Sequence, residues 1–234
     1  MAVPTYSAAS AVAHSVIGDQ GGSHSIVTFT SYVVPSLTNG YMLVAIGNRS
    51  TTSPIAAESV VWNTSTNLAS LGAVRYSDLD TTSGIELWGI KAPPAATANL
   101  VVTISAVDYT YAYAMVMLFE GVDQTTPTAG YVTATGGPGS PATATADVSA
   151  SANDLIVAAY LQRDQDGWTL QGGQTSILQS TGDLTDGIMR TGYLAAAGAT
   201  TTMAAQATVT ATWLEAAIAL KQVSGGATGG LMWL

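Results

Sequence analysis

Large apolar residues in this chain come in short runs of two kinds, and both kinds read as β-strands. The first kind is continuous. Tyr41–Ile46 follows the turn pair Asn39-Gly40, as a buried central strand follows a tight turn. Tyr109–Phe119, Leu155–Leu161 and Trp213–Leu220 are runs of the same kind. The second kind alternates. Gly84–Ile90 does so until Pro93-Pro94 stops it, and its alternation sets Glu86, between Ile85 and Leu87, on a solvent-facing side. Ser25–Val33 alternates with a change of phase midway, and Ser59–Trp62, Leu100–Ile104, Ala142–Val148, Ile188–Leu194 and Thr201–Val209 complete the series. Ala112–Leu118 and Leu214–Lys221 are rich in Ala, Met and Leu, which favour helix. Their shortness and Thr/Val-rich surroundings make them strands. About eleven strands divided by Gly, Pro, Asn and Asp turns, with no βαβ pattern, predict an all-β fold. The expected form is a two-layer antiparallel β-sandwich, jelly-roll-like.

An internal echo gives that sandwich a pseudo-repeat of two strand sets. Gly84-Ile85, Gly89, Ala92 and Ala96-Thr97 recur as Gly187-Ile188, Gly192, Ala195 and Ala199-Thr200, at a constant offset of 103. Tyr41-Met-Leu-Val-Ala likewise resembles Asp154-Leu-Ile-Val-Ala, and the Met115 strand resembles the Ile218 strand. The expectation is one domain over 25–223, preceded by an N-terminal arm at 1–24. Its halves are joined by the Gly/Pro-rich loop 133–141, and a flexible tail follows at 224–234.

Composition narrows the function classes. Charged residues make up only 9% against 47% hydrophobic, where a soluble domain usually carries about 25% charged residues. Thr, Ser, Ala and Gly must cover the surface, which suits close contact with other protein. Fifteen acids against six bases give a net charge of −9 with no basic cluster. Nucleic-acid binding and an anionic membrane surface are therefore disfavoured as partners. Cysteine is absent, which removes disulfides and thiolate chemistry. No apolar run reaches the ~18 residues of a membrane helix. The first residues lack the basic and apolar regions of a secretory signal, so a protein made without export is expected.

Candidate chemistry is sparse. His14 and His24 are the only histidines, too few for a zinc site. Glu86 and Glu120 both lie on strands, but a glycosidase needs such a pair across a cleft. No catalytic residue is assigned, and the expectation is a protein that is not an enzyme. The Arg163–Gly167 run supplies Asp164 and Asp166 as weak Ca²⁺ ligands, and no other cofactor is expected. Trp168 follows Asp-Gly in an expected loop, which makes it the best aromatic for stacking on a glycan; Trp62, Trp88 and Trp213 read as core or sheet-face packing. Leu231, Met232, Trp233 and Leu234 end the Gly/Ser tether as a large apolar group. They either fold back onto the domain or dock into a partner or a second copy.

Val60–Asn63, Ile85–Trp88, Ala92–Ala95, Val101–Ile104, Ala152–Val157, Trp213–Lys221 and above all Phe119-Glu-Gly-Val-Asp-Gln-Thr-Thr-Pro127 occur here in an order that carries a resemblance. Over roughly residues 25 to 223, the chain resembles a β-sandwich module of tailed-phage structural proteins, also seen in bacterial surface proteins. The resemblance implies a non-enzymatic structural protein of a phage particle, a capsid decoration or head-auxiliary protein assembled in the host cytoplasm. Its partners would be the major capsid or another virion protein and further copies of itself. A carbohydrate-binding module or adhesin is the alternative.

Overall fold

The computed structural model describes residues 3–15, 24–50, 56–78, 81–105, 109–137, 143–162, 167–180, 187–207 and 211–223. They form strands and connecting turns only. In the first half these are β1 (Thr5–Ser15), β2 (His24–Val34), β3 (Tyr41–Ser50), β4 (Ala56–Trp62), β5 (Thr66–Asn67), β6 (Ala69–Asp78), β7 (Thr81–Lys91), β8 (Ala96–Ser105) and β9 (Tyr109–Glu120). The second half adds β10 (Thr128–Gly136), β11 (Thr143–Ser149), β12 (Leu155–Gln162), β13 (Trp168–Leu170), β14 (Thr175–Gln179), β15 (Ile188–Ala195), β16 (Thr200–Ala207) and β17 (Trp213–Leu220). The eleven strands expected from the sequence all form, including the two Ala-rich ones.

The strands make four antiparallel sheets: β1-β9-β3-β7-β6, β2-β8-β4-β5, β10-β17-β12-β15-β14 and β11-β16-β13. Three hydrophobic cores separate them. One lies between the β2 sheet and the β3 sheet, with Val27, Phe29, Trp62 and Leu100 facing Met42, Val44 and Val116. The central core joins the two halves, with Leu43, Ile85, Met117 and Phe119 against Leu155, Leu161, Leu214 and Ile218. The third lies between the β12 sheet and the β11 sheet, with Ile156 and Tyr160 against Val148, Trp168 and Met203. This stacking explains the continuous apolar runs. Alternate residues of β3, β9, β12 and β17 feed two different cores, so neither face of these strands meets water.

The antiparallel sandwich is therefore present, but its layering is doubled. The two strand sets do not share one pair of sheets; each makes its own pair, and the inner sheets pack on one another. The order β1-β9-β3-β7-β6 matches β10-β17-β12-β15-β14 position by position, and β2-β8-β4 matches β11-β16-β13. Register sets the correspondence more finely. Tyr41, first in β3, lies between Lys91 and Phe119; Leu155, first in β12, lies between Ala195 and Leu220. Gly84 then corresponds to Ile188, one residue beyond the Gly187 of the sequence echo. A slip of one residue exchanges the two faces of a strand: Ile85 lies in the central core, whereas Ile188 lies in an outer one.

Two boundaries also differ from expectation. Thr5–Ser15, within the expected arm, is an edge strand paired with β9, and Tyr6 packs 6.0 Å from the rings of both Phe119 and Tyr193. The expected linker at 133–141 begins inside β10, which pairs with β17 as far as Gly136. The halves are instead joined at 121–127, between β9 and β10. Gly130 permits the start of β10. Its φ is +60°, and a Cβ there would meet the Ser149 carbonyl oxygen at 2.0 Å. Gly130→Ala is expected to lower stability by ~1–3 kcal/mol, read as a lower urea midpoint; an unchanged midpoint would contradict this packing.

Candidate functional site

The segment 121–127 is tied by hydrogen bonds to both halves. Gly121 and Val122 donate backbone N–H groups to Thr38 and Asn39 of the first half, at 3.0 Å each. Asp123 N–H donates to the Lys221 carbonyl at 2.8 Å, and Lys221 N–H donates back to Pro127 at 2.8 Å. The Asp123 carboxylate accepts from Thr125 and Thr126 N–H at 2.7 and 2.9 Å, which closes the turn locally. Gln124 Nε2 donates to the Gly40 and Val122 carbonyls, and Lys91 Nζ donates to the Gln124 carbonyl. The run that carries the sequence resemblance is thus the joint of the two sandwiches.

A groove of about 450 Å³ opens beside this joint, lined by Asp123, Thr125, Ser151, Asp154, Lys221 and Gln222 among others. Its charged groups are largely engaged. Asp154 is buried, and its two oxygens accept Ser151 N–H at 2.8 Å and Gln222 N–H at 3.1 Å. Lys221 Nζ donates to Thr126 Oγ1 at 2.7 Å. Carboxylates that accept backbone N–H groups stabilise turns, so the groove is a braced junction with small polar walls.

Two further acids lie inside the sandwiches. Glu86, expected to face solvent, is buried. The alternation is real, but the outer sheet covers the face that a one-sided strand would expose. Its carboxylate pairs with Arg75, accepts Ala57 N–H at 2.9 Å and accepts Trp88 Nε1–H at 3.0 Å. Glu86 thereby fastens β4, β6 and β7 together. Glu120 accepts Thr38 N–H at 2.8 Å at the opposite end of the sheet. In register, Glu86 adjoins Ile46 and Ala73, whereas Glu120 adjoins Thr5, so the two do not make a pair.

Glu215 on β17 is fully buried, and neither of its oxygens has a hydrogen-bond partner. Burial pushes its carboxyl up to about 8, against a downward pull from the neighbouring Tyr160 hydroxyl. That hydroxyl itself donates to Gln174 Oε1 at 3.0 Å. The sequence offered no sign of this group, because Ala-rich flanks hide which face Glu215 takes.

Trp168 is corrected. It lies in β13, not a loop, is only 3% exposed and packs 5.5 Å from Tyr160. A ring enclosed between two sheets offers no face to a sugar. Trp62 and Trp213 are buried as expected, and Trp62 Nε1–H donates to the Pro94 carbonyl at 3.2 Å. Asp164, Asp166 and Leu231–Leu234 lie outside the described residues. His14 and His24 stand on β1 and β2, opposite Tyr113 and Ser105. Among the described residues no three of His, Cys, Asp or Glu are gathered as a metal site, and no helix is long and apolar enough to cross a membrane.

Comparison with protein-family models, curated proteins and solved structures finds no match to the chain.

Proposed function

We propose that this chain is a non-catalytic structural protein of a phage particle, a decoration or head-auxiliary protein that seats on the capsid beside copies of itself. The observation that carries the reading is the strand order. In each half the chain passes between two sheets so that its first strand lies beside its last, an order that supports reading each half as jelly-roll-like. Jelly rolls recur in viral capsid and lectin domains. The low charge and the module resemblance support the capsid branch of that pair. The lectin branch, a carbohydrate-binding module or adhesin, loses its aromatic candidate with the burial of Trp168.

In this reading the apolar group Leu231–Leu234 is the docking element for the capsid or a neighbouring copy. Purified full-length chain, added to particles lacking it, co-sediments with them, and a variant ending at Gly230 stays in the supernatant with an unchanged melting temperature. Full occupancy by the truncated chain would overturn the docking role of the tail. Failure of the full-length chain to sediment would count against the particle reading itself.

A further inference from the structure

We propose that each sandwich holds ordered water between its two sheets, at one equivalent buried amide position: Asn48 in the first half and Gln162 in the second. Asn48 and Gln162 are each the eighth residue of the central strand of an inner sheet, β3 and β12. Their flanking pairs correspond: Gly84 and Ala112 beside Asn48, Ile188 and Trp213 beside Gln162. Both side chains turn toward the outer sheet, on the face that carries Val44 and Ile46 in one half and Ala158 and Tyr160 in the other. Both residues are 0% exposed, and no donor or acceptor atom of either amide has a hydrogen-bond partner.

One orphaned amide is an irregularity; the same orphan at the same register position of two sandwiches is a design. A dry amide is costly in a protein interior, and here that cost would be met twice. The neighbourhood decides the ligand's chemistry. On the same face as Gln162, the Glu215 carboxyl, which keeps its proton at neutral pH and so both donates and accepts, and Arg190 Nε, a donor, are also unpartnered, one on each side of Tyr160. Glu215 is opposite Tyr160 on the adjacent strand, diagonal to Gln162. A cation would satisfy the oxygens and leave every N–H unmet. Water both donates and accepts, and buried water typically makes about three hydrogen bonds to such groups. In the first half Asn48 Oδ1 and the Arg75 side chain crowd over Gly84, where a Cβ would lie 2.8 Å from Asn48 Oδ1 and 3.0 Å from Arg75 Nη1, so the water lies on the side of the amide away from Gly84.

The test uses the full chain in solution. Side-chain NH2 protons of Asn48 and Gln162 are expected to show cross-relaxation to long-lived water, of the sign given by a molecule held for nanoseconds or more. A crystal structure is expected to show density within hydrogen-bonding distance of both amides. Gln162→Met then removes one partner of the held water and lowers the melting temperature, by ~2–4 °C per kcal/mol lost. Absence of the water signals, or an anomalous metal peak at either site, would overturn the proposal. So would a higher melting temperature in Gln162→Met, the result for a dry amide relieved of its desolvation cost.

Discussion

Glu215→Gln is expected to stabilise the protein above neutral pH and to change little in acid. Glu215 has no hydrogen-bond partner in the folded chain, and burial raises its carboxyl from the ordinary 4.5 to about 8. Between those two values the folded state holds a proton that the unfolded state has released. Stability from this group is fully present below 4.5, falls as pH rises toward 8 and stays lost above it. At ~1.4 kcal/mol per pH unit, the span amounts to an upper figure of ~5 kcal/mol. Relaxation of the surroundings brings the expected gain for Glu215→Gln at pH 9 to about 2–5 kcal/mol. The check is urea unfolding of both proteins from pH 4 to 9. A difference that grows from near zero in acid to its full value by pH 9 is the expected result. Parallel profiles would show that Glu215 is ionised at no cost and that its site is open to water.

Phe119→Ala is expected to cost about 3–5 kcal/mol, the range for emptying a large aromatic site in a packed core. Phe119 is fully buried in the central core, opposite Tyr41 on β3 and Tyr6 on β1. That core draws residues from both strand sets. The loss should therefore fall on the whole molecule and not on the first half alone. Trp62 reports the outer core of the first half and Trp168 that of the second. Far-UV circular dichroism and tryptophan fluorescence should shift together to a lower urea midpoint in one transition. Two separated transitions, with the second unmoved, would show that the inner sheets contribute little to each other.

How much of this was legible in the sequence depends on what each residue pattern can encode. Most strands with large side chains were legible, because a short apolar run, continuous or alternating, suits an extended segment buried on two faces or one, though β6 and β14, where Leu, Val, Tyr or Ile stand among polar residues, were missed. β1 and β10 were not legible either: TYSAASAVAHS and TAGYVTATG are built of small residues, and edge pairing through backbone hydrogen bonds leaves little trace in side-chain pattern. Gly136 and Pro138 drew the linker into β10, whereas the true joint at 121–127 has one terminal proline and depends on hydrogen bonds made by Asp123 and Gln124. Glu86 was misplaced because alternation gives the two faces of a strand and not what covers each. In a four-sheet stack the polar face of β7 is covered too. Trp168 illustrates a related limit: Asp-Gly marks a turn, but the strand after it is only three residues long. The residue-level echo between the halves was one position out of step with the register of β7 and β15, because apolar strands of similar composition align almost equally well at neighbouring registers; the matching order of strands came only from the fold.

The central claim is that this double sandwich is a part of a phage particle. Quantitative mass spectrometry of density-purified particles, alongside the cleared supernatant of the same culture, tests it most directly. The account predicts this chain in the particle band at a fixed ratio to the major coat protein, retained through repeated banding. Finding it only in the supernatant or on cell surfaces would contradict the claim and move a surface-binding module to first place.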